Sequence, residues 1–286
     1  MNDLLATSRP LSWVNTAYPF SAAYLLAGGG IDWLFVLGTV FFLLPYNLAM
    51  YGINDVFDYE SDLLNPRKGG VEGALIPKSR HRRILWASGL TTVPIAVVLL
   101  VSGGPAAAAA LLVSLAAVVA YSAPKLRFKE RPFLDSITSA THFVSPAVYG
   151  WLLADGWLDQ GALAAFAAFL CWGMASHAFG AVQDIIPDRA GGLGSVATVI
   201  GARPTVYVAT GLYIAAGLLC LMVPAPGPLV GLLCLPYAAN TLRFAGITDE
   251  TSAASRSGWR AFLWLNYATG FLFTLLLLWT HVRGGF

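Results

Sequence analysis

The segment Asn54-Asp55-Val56-Phe57-Asp58-Tyr59-Glu60-Ser61-Asp62 gathers four acids and an amide into nine residues. Along a continuous helix, at 100° per residue, Asn54, Asp58, Asp62 and Asp55 fall at about 0°, 40°, 80° and 100°. Those four oxygen-bearing side chains share one arc, and Glu60 points elsewhere. Like charges so close repel by about a few tenths of a kcal/mol per pair. A hard divalent cation with oxygen ligands offsets that repulsion naturally. A second cluster, Gln183-Asp184-Ile185-Ile186-Pro187-Asp188-Arg189, again sets two carboxylates one helical turn apart.

Magnesium is usually held by one or two carboxylates and bridges to substrate phosphates, and two such ions can clamp a diphosphate. Carboxylates alone would repel a phosphate, so basic residues must stand nearby. Arg67, Lys125, Lys129 and Arg189 are placed to do so. Metal and cations around a diphosphate stabilise it as a leaving group, which is electrostatic catalysis of ionisation. Solvated acids at helix ends would account for one such cluster. Two clusters, each closing an even-numbered apolar segment, favour chemistry.

The elements that must position these residues are read from composition. The chain has 286 residues, 57% hydrophobic and only 11% charged, against about 25% charged in soluble domains. An ordinary soluble enzyme, a disordered chain and a disulfide scaffold are excluded. The expectation is an all-α integral membrane protein. Cys171, Cys220 and Cys234 lie in apolar segments and read as small core residues. A net charge of +2, with dispersed basic residues, argues against a nucleic-acid partner.

A crossing needs about 20 apolar residues. Nine segments qualify, near 13–28, 33–53, 83–102, 105–122, 134–154, 161–183, 203–223, 228–246 and 259–281. Pro19 and Pro236 should kink the first and eighth, and Pro187 should kink or end the sixth. With the N-terminus inside, all of the 17 Lys and Arg except Arg283 fall on the inner side, as the positive-inside rule demands. The expected topology is nine transmembrane helices, N-terminus cytoplasmic and C-terminus outside. Both acidic clusters then lie on the cytoplasmic face, where they could meet across a bundle. One domain, 1–286, is expected, with two pseudo-related halves whose motif loops lie near 54–80 and 183–202.

Polar residues inside spans are functional candidates. Asn47 lies seven residues before Asn54 and His177 seven before Asp184, each two turns deeper on nearly the same face. Both are cavity candidates. His142 stands seven after Asp135. The competing role for Asn47 and His142 is an interhelical hydrogen bond, worth about 0.6 kcal/mol.

With these motifs in place the chain resembles the UbiA superfamily of intramembrane prenyltransferases. The resemblance rests on Asn54-Asp55-x-x-Asp58-x-x-x-Asp62 with Arg67 behind it, on Tyr121-x-x-x-Lys125, and on Asp184-x-x-x-Asp188 followed by Arg189-x-x-Gly192. It implies a helical bundle around a central lipid-open cavity, with two Mg²⁺ ions holding an isoprenyl diphosphate. In that reading Asn54, Asp55, Asp58, Asp62, Asp184 and Asp188 are metal ligands, and the five aspartates are catalytic. Asn54, Arg67, Tyr121, Lys125, Lys129 and Arg189 contact the diphosphate. Within the superfamily, Ser8–Phe20, Asn65–Gly73 and Ile185–Arg189 are similar to the lycopene-elongase branch, which adds C5 units from dimethylallyl diphosphate to lycopene, sometimes with hydration. Lys68-Gly69-Gly70 replaces the second Arg-Pro of many members that act on aromatic acceptors.

Lycopene is therefore the expected acceptor, met within the lipid bilayer of a bacterial or archaeal cell membrane. A quinone precursor, a porphyrin or another lipid is the alternative acceptor. A transporter is a more distant reading, because transporter acids lie near the midplane and these lie at one membrane edge.

Overall fold

The computed structural model describes residues 3–63 and 75–283, and the regular structure among them is entirely helical. Helix stands at each of the nine apolar segments. Six stretches are long and apolar enough to cross a membrane: Trp33–Phe57, Lys78–Ser102, Pro105–Ser122, Gln160–Val182, Ala202–Met222 and Ser252–Val282. The chain is a multi-pass integral membrane protein.

The other three segments differ for local reasons. Val14–Leu26 has 13 residues, short of the about 20 that a straight crossing needs. Leu134–Leu153 has 20 residues, but Asp135, His142 and a run of Ser and Thr dilute it. The eighth segment is not one kinked helix. It is two short helices, Gly227–Leu232 and Leu235–Leu242, with Pro236 in the first turn of the second. A proline there lacks only an N–H that the helix start leaves unused. Pro19, by contrast, lies inside Val14–Leu26.

A break also divides the second segment, into Trp33–Leu43 and Pro45–Phe57. Pro45 removes a backbone donor, and a helix broken among apolar helices must satisfy the freed carbonyls from side chains. Asn47 does so. Its Nδ2 donates to the Phe42 carbonyl at 2.8 Å, the Leu43 carbonyl at 3.1 Å and Thr16 Oγ1 at 2.7 Å. Thr16 Oγ1 in turn donates to the Phe42 carbonyl at 2.6 Å. From the Lys78–Ser102 helix, Thr92 and Ser88 donate to the carbonyls of Pro45 and Leu48. Asn47 is fully buried, and these bonds give it the interhelical role.

The chain forms two compact units that exchange segments of sequence. The first comprises 1–128 with 141–157, and the second 129–140 with 158–286. The first core is aromatic, built on Phe20, Phe41, Phe42, Tyr46 and Tyr149. The Phe20 and Phe42 rings lie 5.3 Å apart. Gly38 and Gly150 admit Phe20, since a Cβ at either would run into its ring or backbone. The second core gathers Phe179, Val182, Ile185, Tyr213, Tyr237 and Phe262. Its buried hydroxyls are satisfied within it, Tyr213 with Ser176 at 3.0 Å and Tyr237 donating to Asn266 at 2.9 Å.

Replacing Asn47 with Leu keeps the volume and removes the donor. The expected result is a loss of about 1–2 kcal/mol of stability, read by unfolding in detergent, with turnover per folded molecule retained. Lost turnover at unchanged stability would return Asn47 to the cavity.

Candidate active site

The Pro45–Phe57 helix ends at Asp58, and a short helix, Tyr59–Leu63, follows directly. The backbone bonds that carry the motif survive this junction. Asp58 N–H donates to the Asn54 carbonyl at 2.9 Å and Asp62 N–H to the Asp58 carbonyl at 2.8 Å. The shared arc is therefore kept: Asp55, Asp58 and Asp62 are 2%, 1% and 8% exposed, whereas Glu60 is exposed and pairs with Lys78.

Asp55 and Asp58 have partners within their own unit. Arg9 Nη2 sits 2.6 Å from Asp55 Oδ1, and its guanidinium lies over the Tyr51 ring, 4.1 Å from the centroid. Asn54 Nδ2 donates to Asp58 Oδ2 at 2.5 Å and to Ser122 Oγ at 2.9 Å. Ser122 Oγ donates to Asp58 Oδ2 at 3.4 Å. Arg127 approaches Asp58 Oδ1 at 3.5 Å and donates to the Phe57 carbonyl at 3.4 Å. Lys125 and Arg127 both hold left-handed backbone, φ 72° and 41°, a conformation that costs a residue with a side chain about 1–3 kcal/mol. That turn brings Arg127 back over the motif. Lys125 is exposed beside it.

Tyr121 is half-buried and meets His142 edge-on, with ring centroids 5.1 Å apart. His142 is buried. Arg67 lies outside the described residues, as does the 65–73 segment around it.

In the second unit, Gln160–Val182 ends before the acidic cluster, and Asp184 begins a short helix, Ile185–Ala190. Pro187 lies in its first turns rather than at the end of the long helix. Asp188 N–H donates to the Asp184 carbonyl at 2.9 Å, so the one-turn spacing is real. Both side chains are half-buried. Gly192, at φ +69°, turns the chain out of this helix.

Arg189 turns to its own unit. Its Nη1 lies 2.6 Å from Asp249 Oδ2, and its Nε and Nη2 donate to the Thr198 carbonyl at 3.1 and 2.7 Å. Asp249 Oδ1 accepts from the Ala202 N–H at 2.7 Å. Asp135, fully buried, accepts from the N–H groups of Val196 and Ser136, both at 2.8 Å. Ser136 Oγ lies 3.1 Å from His177 Nδ1. His177 is thus tied through Ser136 to Asp135, which anchors the 183–202 loop. Lys129, where the second unit's 129–140 segment begins, is half-buried in the Phe128–Glu130 turn.

Sequence reading missed five of these residues. In the sequence Arg127 stands out only as an inner-side charge, Arg9 as that and as part of the 8–20 segment, Asp135 only as a marker for His142, and Asp249 not at all. Ser122, next to Tyr121, is the fifth. An acid in a chain so poor in acids was the available signal for Asp135.

Among the described residues, no group of three or more carboxylate, imidazole or thiol side chains is drawn together closely enough to hold a metal ion. The donor set nevertheless fits one in kind. Three buried carboxylates and an amide on one arc are hard oxygen ligands, and their present partners include two guanidinium cations.

Two outcomes follow from these contacts. Arg9→Gln removes the guanidinium from a buried carboxylate and should lower stability by about 2–3 kcal/mol, with Asp55→Asn recovering part of the loss in unfolding experiments. The Ala202 N–H and Arg189 hold the Asp249 carboxyl below its usual range. A lowered pKa contributes stability that is present above the unfolded value, about 3.9, and is lost as pH falls through the folded one. Hydrogen exchange at the Ala202 amide should therefore be protected relative to Asp249→Asn at neutral pH, and the difference should vanish in acid.

Comparison with known proteins agrees with this architecture. Residues 16–267 match the model of the UbiA prenyltransferase family. The chain is 52% identical over 278 residues to a lycopene elongase/hydratase of Corynebacterium glutamicum, covering 97% of each. It is 54% identical over 282 residues to the C(50) beta-cyclic carotenoids biosynthesis protein LbtBC of a Dietzia species, covering 98% of this chain and 65% of that longer one. A UbiA homolog from Archaeoglobus fulgidus, solved bound to DMAPP and Mg²⁺, shares the fold at 17% identity, with a TM-score of 0.68 over 93% of this chain and 98% of that one. With matches of this extent and an all-helical, membrane-spanning structure, the chain belongs to the UbiA prenyltransferase family and is a prenyltransferase.

Proposed function

We propose that this enzyme transfers a C5 prenyl group from dimethylallyl diphosphate to the ends of lycopene, in C50 carotenoid synthesis. The observation that carries this reading is the 52% identity, over 97% of both chains, to a lycopene elongase/hydratase. The match runs the length of both chains rather than over the acidic motifs alone. The UbiA homolog solved with DMAPP and Mg²⁺ supports the donor and the metal.

In this reading Asn54, Asp55, Asp58, Asp62, Asp184 and Asp188 hold two Mg²⁺ ions, which supply positive charge to the diphosphate. Arg67, Tyr121, Lys125, Lys129 and Arg189 contact its oxygens. The bond between the allylic carbon and oxygen breaks, and its electron pair leaves with the diphosphate. The terminal alkene of lycopene then attacks the allylic carbon, forming a carbon–carbon bond and a tertiary cation. That cation either loses a proton or takes up water and releases one. Lycopene has no hydroxyl to activate, so its acceptor site needs apolar walls and exclusion of water more than a base. Aromatic faces can add about 0.5–2 kcal/mol each to cation stabilisation. His177, tied to Ser136 and beside the Asp135 anchor, remains the polar candidate for that cavity.

The same reading takes nine crossings, the N-terminus inside the cell membrane, and a cytoplasmic active site. It is supported by the distribution of Lys and Arg.

Expression in a lycopene-accumulating host tests the proposal, with pigment masses read by chromatography. Gains of one and two C5 units, absent with Asp58→Ala, are expected, and any added water identifies the quench. Unchanged lycopene, with folded protein in the membrane, would sink the lycopene assignment and move the search to aromatic acceptors.

A further inference from the structure

The Lys78–Ser102 helix has two unlike sides. Ile84, Ser88, Thr92, Ala96 and Leu99 are buried, and Ser88 and Thr92 bond to the carbonyls of Leu48 and Pro45. Trp86, Leu90, Val93 and Val97 are each more than half exposed. In a membrane-spanning chain that second side is the one that meets lipid.

Near the start of the helix, Lys78, His81, Arg82, Leu85, Trp86 and Gly89 line an open hollow of about 620 Å³. Their spacing puts all six within an arc of about 140° at 100° per residue. The hollow is graded along the helix axis. Basic side chains stand at its head, the Trp86 indole below them, and apolar stem and bare backbone at its foot.

The charges at the head are not equivalent. Lys78 pairs with Glu60. His81 Nε2 lies 2.8 Å from the Ile76 carbonyl oxygen, and its ring meets Tyr59 edge-on. Arg80, on another side of the helix, pairs with Asp3. Arg82 is exposed and makes no ion pair or hydrogen bond among the described residues. Its planar fork of N–H donors matches a phosphate. At the foot, a Cβ added at Gly89 would meet nothing within 4 Å. That space is open, not filled by a neighbouring side chain.

We infer that this hollow binds an anionic glycerophospholipid, with its phosphate on Arg82 and one acyl chain along Leu85, Trp86 and Gly89. The argument is complementarity at both ends. A soluble phosphate would use the head and leave the apolar foot bare. A zwitterionic lipid would bring its own cation against Lys78, His81 and Arg82. An anionic headgroup above an acyl chain matches the whole gradient, and an exposed Trp at the level between them suits the membrane interface.

The test uses the full chain, exchanged into mixed micelles with equal phosphatidylglycerol and phosphatidylcholine. Lipids retained after gel filtration are counted by mass spectrometry. The parent should retain phosphatidylglycerol over phosphatidylcholine by on the order of fivefold, the factor one basic side chain near an anionic headgroup supplies. Arg82→Gln should abolish the preference. Gly89→Leu keeps every charge and fills the hollow, and should lower the retained phosphatidylglycerol. Arg83→Gln, an exposed neighbour outside the arc, should change nothing. Circular dichroism and the elution profile verify that each variant is folded. The inference is overturned if Arg83→Gln costs as much preference as Arg82→Gln, which would mean diffuse surface charge. Retention unaffected by Gly89→Leu would overturn it equally.

Discussion

A carboxylate withdrawn from water loses on the order of several kcal/mol of solvation unless a cation or a set of donors replaces it. At Asp55, Asp58 and Asp62 that withdrawal is nearly complete, and much of the first unit is arranged around it. Arg9 reaches Asp55 from before the first long helix, and Tyr51 holds its guanidinium flat. Asn54 and Ser122 supply donors to Asp58, and Arg127 reaches it from a turn with left-handed backbone. Two segments distant in sequence, around Arg9 and around 122–127, are thus tied to one helix end by ion pairs and hydrogen bonds. The second unit solves a similar problem with carboxylates as the hub. Asp135 and Asp249 collect the N–H groups of Val196 and Ala202, and so fix both ends of the stretch beyond its acidic cluster.

The same rule governs the backbone. Where water is absent, a helix can break only if side chains take over the freed carbonyls. Thr16 and Asn47 do this at Phe42 and Leu43, and Ser88 and Thr92 bond at Leu48 and Pro45. The break separates the Pro45–Phe57 helix, which delivers the motif, from Trp33–Leu43. Polar residues inside the bundle are therefore of two kinds, those that mend backbone and those left to chemistry. Their depth in the sequence does not separate them.

That distinction explains what could be read in advance. Hydrophobic runs located helix at all nine segments because a crossing needs length and apolarity, and both are visible along the chain. The arc at 54–62 was legible because its spacing is one turn, and it survived a helix junction that the spacing could not reveal. The break at Leu44 was hidden, since Pro45 is tolerated or disruptive according to neighbours that lie far away in sequence. Partners across sequence were hidden for the same reason. Arg9 and Asp55 are 46 residues apart, and Arg189 and Asp249 are 60 apart. Positive charge near the membrane edge is explained by topology alone, so nothing marked these arginines as paired.

The pairing also bears on what the acidic arc can still do. Three carboxylates left bare would repel one another, and three locked into firm ion pairs would have nothing to offer a cation or a ligand. The observed contacts lie between these limits and are unequal. Arg9 meets Asp55 at 2.6 Å, with its guanidinium stacked and largely enclosed. Arg127 stands 3.5 Å from Asp58 on a more exposed side chain. Coulomb attraction falls with distance, and solvent screens the more exposed pair further. Of these two pairs the one at Asp58 is therefore the weaker, and Asp58 sits between Asn54 and Asp62 on the arc. A cation competing at Asp58 would have the smaller of these two attractions to overcome, while the Arg9 pair at Asp55 would still hold the N-terminal segment.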